Sequence, residues 1–304
     1  MKKSVFLIPV RQTIRRRLHP NLVRKPDFSE CNDTNGRITD FSLARNTCVK
    51  LAHGEWILTI DADEILNKNS IARFREHVSN TNLDAVRLCV KSGTSEWLVT
   101  RLFRRKLTHR YYGRVHEWVS VEGNIVDDWK ISIRNRPNKR GKESSVQRDL
   151  RLCSLSLAEF PDDSRMVFYL ARALRRSNLF AESIRQYQTY LELEKSFTAG
   201  RYAATYGIAL CHFLAGNWQK AIVCGRQAIA LEHRLAECHC LVADSYFALG
   251  KMNSAVRWYQ KALACGPPPD DYPFFIDRSF YSQYPRQRLA FFEITVATDQ
   301  NKRR

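Results

Sequence analysis

The residues best equipped for chemistry lie in one stretch, Gly54-Glu-Trp-Ile-Leu-Thr-Ile-Asp-Ala-Asp-Glu64. Asp61, Asp63 and Glu64 follow directly on Trp56–Ile60, a run that is apolar apart from Thr59 and rich in β-branched and aromatic types. Such a run reads as a strand buried on both faces of a parallel sheet. Ligands of open α/β sheets collect at the carboxyl ends of the strands, where these carboxylates stand. Asp61 and Asp63 are separated by one residue, so at a bending strand end both can turn toward one ligand. Hard oxygen donors of this kind suit Mg²⁺ or Mn²⁺, with phosphate oxygens completing the shell. An acidic helix start, where carboxylates interact favourably with the dipole, fits the same spacing.

A second polar pair, His116-Glu117, lies in Tyr111–Val119, which reads as a strand. Adjacent strand residues face opposite sides, so only one of the two is expected to enter a site. Two further strands are expected at Asp84–Val90 and Glu96–Phe103. Alternation in the second of these puts Trp97, Val99, Arg101 and Phe103 on one face.

The elements that must hold these groups can be read around them. Ser4–Val10 has the pattern of a first strand, and Glu30–Gly36 that of a loop. Asp40 is placed as the N-cap of a helix whose apolar stripe is Phe41, Ala44, Cys48, Leu51 and Ala52. Gly54 stands where a C′ residue belongs. Arg45 and Asn46 lie off the stripe, within reach of its edge. After Glu64 a helix is expected over Ser70–Val78. The polar, basic stretch 135–147 reads as a linker.

Beyond it the chain repeats. Ala221 and Ala255 lie 34 residues apart in matching contexts, and Ser183 takes the same place 38 residues before Ala221. Ala171, Ala209 and Ala243 each precede these positions by 12 residues. Ala228 and Ala262 follow the later two by seven, with Tyr190 as the counterpart in the first unit. Asn178, Gly216 and Gly250 mark the turns within the units. Small residues at fixed points let stacked helix pairs share one core, which is the tetratricopeptide (TPR) pattern in three units. The aromatic segment Tyr272–Phe292 is expected to cap the array.

The 304 residues allow about two domains. No apolar run reaches the roughly 20 residues of a membrane span, and the apolar start is too short for a secretory signal. A cytoplasmic protein is expected. Nine scattered cysteines without a C-x-x-C pair fit reduced thiols rather than a zinc site. The net charge of +18, concentrated in Arg11–Lys25, Arg101–Arg114 and Lys130–Arg151, implies an acidic partner or a solvated basic face. No signature of specific nucleic-acid binding accompanies it. Phosphate-bearing substrates and peripheral contact with an anionic membrane remain compatible with it.

The first half resembles the family 2 glycosyltransferases of the GT-A fold, in the branch whose catalytic domain is followed by TPR units. The resemblance rests on Asp40-Phe-Ser-Leu-Ala-Arg-Asn46, the Gly54–Glu64 stretch, Arg101-Leu-Phe-Arg104 with Tyr112-Gly-Arg-Val-His-Glu117, and Pro161-Asp-Asp163 at the passage into the repeats. It implies an α/β domain at 1–134, clearest over 38–120, with a mostly parallel and incomplete sheet. The linker 135–147, an all-α TPR solenoid at 148–268 and a capping tail at 269–304 would follow. It implies transfer of a sugar from a nucleotide-sugar donor to a protein or glycan acceptor, with a protein partner in the TPR groove. Asp63 and Asp61 would hold a divalent metal, Mg²⁺ or Mn²⁺. Asp61, Arg45, Arg101 and Arg104 would bind the donor, and Glu117 would be the base, with His116 as the alternative base or an extra ligand.

Two departures from the family pattern fall on donor binding. No second strand or Asp-x-x-Ser segment precedes Asp40, so the start is expected to be shortened or remodelled. Lys130–Arg136 carries arginine and asparagine where the branch tends to carry a histidine. These departures leave a rival reading, a catalytically degenerate domain serving as a TPR scaffold. Non-specific nucleic-acid binding has only the charge behind it.

Overall fold

The structure, a computed structural model, describes residues 5–9, 27, 29–61, 63–67, 70–92, 95–136, 143–269, 272–274 and 276–302. The basic run Arg11–Lys25 lies outside them, as does most of the stretch between Val10 and Asp40. Contacts divide the chain into two compact units, Met1–Ser144 and Ser145–Arg304. No helix among the described residues is long and apolar enough to cross a membrane. All nine cysteines are free thiols, buried or half-buried.

The first unit is built on a six-stranded sheet. Its strands are β1 (Val5–Pro9), β2 (Trp56–Ile60), β3 (Glu64–Leu66), β4 (Ala85–Ser92), β5 (Ser95–Arg104) and β8 (Ile125–Asn135). Their order across the sheet is β1-β2-β5-β4-β8-β3. Only β1–β2 and β4–β8 pair in parallel; β2–β5, β4–β5 and β3–β8 are antiparallel. The expectation of a mostly parallel sheet is therefore corrected to a mixed one. The reason is partly local: two residues separate β4 from β5, and so short a connection permits only an antiparallel hairpin.

Strand β2 is buried as its sequence requires, from Trp56 to Thr59. The helix beside it, α1, spans Phe41–Lys50, and the Asp40 carboxylate caps it by accepting from the Leu43 N–H at 2.9 Å. The helix ends before Gly54, with Leu51 as its cap, so Gly54 is not its C′ residue. The acidic stretch does not open a helix either. Glu64 begins the short strand β3, and helix α2 (Ile71–Ser79) starts later.

Strand β5 carries an irregularity that bears on the site. Val86 pairs with Leu102 and Arg87 with Thr100, so Arg101 is an extra residue in the ladder, a β-bulge. The alternation expected over Trp97–Phe103 breaks there. Trp97 and Val99 share a core with Leu102, whereas Phe103 packs on the opposite face with Ile57 and Tyr111. Tyr111–Val119 is likewise not one strand. Strands β6 (Arg110–Tyr112) and β7 (Trp118–Ser120) form a separate hairpin around a turn containing Gly113 at φ 91° and His116 at φ 53°.

In the second unit α3 (Ser145–Glu159) is followed by three helix pairs: α4 (Ser164–Arg176) with α5 (Phe180–Leu193), α6 (Thr198–Leu214) with α7 (Trp218–Leu231), and α8 (Ala236–Ala248) with α9 (Met252–Ala264). Ser183, Ala221, Ala255, Ala171, Ala209, Ala243, Ala228 and Ala262 are all fully buried. A small side chain at each lets the helices of a pair, and of neighbouring pairs, approach closely. Asn178, Gly216 and Gly250 turn the chain with φ of 60°, 76° and 71°, a region that glycine enters freely and asparagine tolerates. The chain then returns over the array and ends in α10 (Gln283–Lys302).

Helix α1 carries Arg45 and is short, so its cap matters. Asp40→Ala is expected to cost about 1 kcal/mol of unit stability in urea unfolding, and Asp40→Asn much less, because asparagine caps almost as well.

Candidate functional site

The strand-end carboxylates are held by a tight turn. The Glu64 N–H donates to the Asp61 carbonyl at 2.9 Å, and the Asp61 N–H donates to Glu64 Oε2 at 2.8 Å. From the far side of the sheet, the Arg136 N–H holds the Asp63 carbonyl at 2.6 Å, and β8 pairs Asn135 with Glu64. The backbone at Asp63 is therefore anchored from both sides of the turn.

Two buried guanidiniums join these carboxylates. Arg45, only 6% exposed, donates from Nε to Glu117 Oε1 at 2.5 Å and from Nη2 to Asp61 Oδ1 at 2.9 Å. Arg101, 8% exposed at its bulge, donates from Nη2 to Glu64 Oε1 at 2.5 Å and to Asp61 Oδ2 at 3.4 Å. The result is a chain of alternating charge from Glu117 through Arg45, Asp61 and Arg101 to Glu64. Burial works against the Arg45 charge, but Glu117 and Asp61 outweigh it and hold the guanidinium firmly protonated. Burial raises the Glu64 carboxyl above its ordinary value, with Arg101 pulling down and Asp61 pushing up.

The hairpin that supplies Glu117 is fastened to α1 at two points. The side-chain amide of Asn46 donates to the Tyr111 carbonyl and accepts from the Tyr111 N–H, both at 2.8 Å, mimicking a strand edge. The Phe41 N–H donates to the Arg114 carbonyl at 2.9 Å. Tyr111 is buried beneath, its hydroxyl donating to Thr59 Oγ1 at 3.0 Å and its ring 5.4 Å from the Arg45 guanidinium. Because Glu117 leaves a turn with a left-handed His116, the alternation of a strand does not govern the pair.

The structure thus brings together Asp61, Glu64, Arg45, Arg101 and Glu117, with Asp63 in the same turn. It does not bring in Arg104. That residue pairs with Trp56 at the start of β2, three residues along β5 from Arg101 and about 10 Å away at strand spacing. There its guanidinium lies 4.7 Å from the Trp56 ring and donates to Glu55 and to the Leu83 carbonyl. Arg104 ties β2 and β5 to the segment before β4.

Two groups stand out beyond the expected residues. Asn46 fastens the hairpin; the sequence marks it as the last residue of the Asp40–Asn46 stretch, beside Arg45. Asn135 has a buried Oδ1 without a hydrogen-bond partner, beside the carboxylate turn. Buried unpartnered donors also remain on the two arginines, Arg45 Nη1 and Arg101 Nε.

Residues 34–129 match the model of glycosyl transferase family 2. The N-terminal unit therefore holds a family 2 glycosyltransferase domain. Residues 190–262 match the model described as anaphase-promoting complex, cyclosome, subunit 3, which is of TPR type. The SPbeta prophage-derived glycosyltransferase SunS of Bacillus subtilis (strain 168) is 26% identical over 190 residues, covering 58% of this chain and 44% of SunS. A TPR repeat-containing protein of Synechococcus elongatus is 25% identical over 253 residues, covering 75% of this chain and 62% of its own length. The chain thus spans about half the length of these relatives. The crystal structure of MamA aligns with 41% of this chain and 75% of its own at a TM-score of 0.35 and 17% identity.

Removing Arg45 would leave two carboxylates facing one another in a largely buried place. Arg45→Met is expected to destabilise the glycosyltransferase domain by about 3–5 kcal/mol in chemical denaturation. Arg45→Lys should recover only part of this, since one ammonium cannot reproduce the planar fork that spans both carboxylates.

Proposed function

We propose that the chain transfers a sugar from a nucleotide-sugar donor to an acceptor. Residues 1–134 act as the catalytic domain, 135–147 as linker and 148–268 as an array that recruits the acceptor or a protein partner, with 269–304 as the tail. The observation that carries the reading is the Arg45 bridge, which ties the strand-end Asp61 to Glu117 in a family 2 glycosyltransferase domain.

A divalent cation, Mg²⁺ or Mn²⁺, belongs to this reading. Among the described residues no group of three or more His, Cys, Asp or Glu forms a ready cage. That suits a cation that is held by one or two carboxylates and takes its remaining ligands from substrate phosphates. Asp61, Asp63 and Glu64 in the turn and Glu117 from the hairpin supply carboxylate oxygens, the hard donors that such a dication takes. The unpartnered Asn135 Oδ1 is a hard oxygen of the right type beside it. When bound, the cation would offset the charge that develops on the leaving diphosphate.

Within this reading Asp63 is the main ligand. Asp61 sits beside it but is engaged by Arg45 and Arg101, so it orients the two guanidiniums more than it ligates. The free donors Arg45 Nη1 and Arg101 Nε are left to meet an incoming oxyanion, as guanidinium geometry favours. Glu117 is the base: Arg45 orients it through Oε1, and Oε2 takes the acceptor proton. His116 serves through its backbone, whose left-handed turn sets the direction of Glu117. Donor and acceptor enter the site as substrates of unspecified identity, and the basic surface favours phosphate-bearing ones.

One observation favours the scaffold reading. Glu117, Asp61 and Glu64 are already satisfied by Arg45 and Arg101, and such a network is stable without a substrate. The two readings part on donor binding. Purified chain should release sugar from some member of a panel of nucleotide sugars in the presence of Mn²⁺. Asp63→Ala should abolish this, and Glu117→Gln should lower kcat by at least 10²-fold while leaving donor affinity within a fewfold. Absence of metal-dependent donor binding by calorimetry across the panel would leave the scaffold reading in its place.

A further inference from the structure

The segment after the third helix pair does more than close the end of the array. It crosses the first helix of each of the three pairs. The Phe274 ring lies 5.6 Å from that of Phe168 on α4 and 5.7 Å from that of Phe197, the residue preceding α6. Tyr272 meets Tyr202 on α6 edge-on at 6.0 Å. Farther along, the Asp277 N–H donates to Glu237 Oε1 on α8 at 3.3 Å, and the Tyr281 hydroxyl donates to Glu237 Oε2 at 3.1 Å.

Glu237 gives this contact its character. It is an acid on a helix that lines the array, and burial raises its carboxyl above the ordinary value. Both of its oxygens accept hydrogen bonds from the crossing segment. An acid placed under a cover has to find such donors, since leaving them out costs it the desolvation of a charged group. Aromatic rings on one side and a carboxylate requiring two donors on the other form a surface with a definite complement. That complement is a segment with aromatic residues two apart, followed by N–H and O–H donors on a 3-10 turn, the order in which Tyr272, Phe274, Asp277 and Tyr281 occur.

We propose that the face formed by α4, α6 and α8 is a peptide-binding surface whose resident occupant is this chain's own residues 272–274 and 276–281. A partner enters only by displacing them with a segment of the same chemistry. This deepens the recruiting role given to the array: recruitment is gated by the chain itself. The contacts are two tilted ring pairs at Phe274, one edge-to-face pair at Tyr272 and two hydrogen bonds at Glu237, so a segment of like chemistry can replace them one for one while α10 stays on α9.

Two measurements test it, and neither depends on sugar transfer, so their failure leaves the transferase reading untouched. In hydrogen exchange on the unmodified chain, the Asp277 amide should exchange at least a hundredfold faster than the Ala243 amide inside α8. Equal protection would make the segment a permanent part of the fold and overturn the proposal. In calorimetry, a synthetic peptide of residues 272–282 should bind a Tyr272→Ala/Phe274→Ala chain at least tenfold more tightly than the unmodified chain. The same peptide carrying Phe274→Ala should lose that binding. No binding to the double variant, with its helical circular dichroism retained, would refute the proposal, as would equal binding to both chains.

Discussion

Two arginine side chains buried among carboxylates set the terms for the whole N-terminal unit. A buried guanidinium is tolerated only where its desolvation is offset by close charge partners. Arg45 finds them in Asp61, at the end of β2, and in Glu117, which is 72 residues away in sequence. Arg101 finds them in Asp61 and Glu64. Arg45 is satisfied only when α1, the end of β2 and the β6–β7 hairpin arrive together, and Arg101 only when the bulge of β5 meets the turn from β2 into β3. The network therefore fixes where the hairpin sits, and with it where Glu117 points. Supporting contacts follow the same logic, since Asn46 and the Phe41 amide fasten the hairpin to the helix that carries Arg45.

The network also divides labour among the acidic residues. Asp61 holds two guanidiniums and so acts chiefly on the site's architecture. Asp63, whose backbone is anchored by Arg136, stands at the apex of the turn. The proposed chemistry places the cation at Asp63 and the proton transfer at Glu117, with Arg45 between them. In such an arrangement a change at the donor side is felt at the base through one rigid, planar group.

Much of this was legible in the sequence because it depends on local pattern. The small residues of the repeats specify close helix approaches, and they alone disclose three stacked pairs. The apolar run Trp56–Ile60 and the capping Asp40 are equally local. What escaped depends on pairing. A bulge is one residue more on one strand than on its partner, so alternation along β5 could not show that Arg101 leaves the row of Trp97 and Val99. Arg101 and Arg104 look like a pair in sequence, yet the antiparallel register sends them to opposite ends of β2. His116 and Glu117 looked like neighbours in a strand, but a left-handed turn at a non-glycine residue has no reliable sequence mark. The mixed sheet hid for a similar reason, since the choice of strand neighbours is made across the fold.

In the proposed chemistry this turn holds a divalent cation only together with a substrate's phosphates. Electron paramagnetic resonance of Mn²⁺ titrated into the protein, with and without each of a panel of nucleoside diphosphates, reads this directly. The account predicts weak binding to the protein alone. One nucleoside diphosphate should tighten it at least tenfold beyond what protein or nucleotide achieves separately, and Asp63→Ala should remove that gain. Mn²⁺ binding that no nucleoside diphosphate strengthens, or that survives Asp63→Ala unchanged, would contradict it.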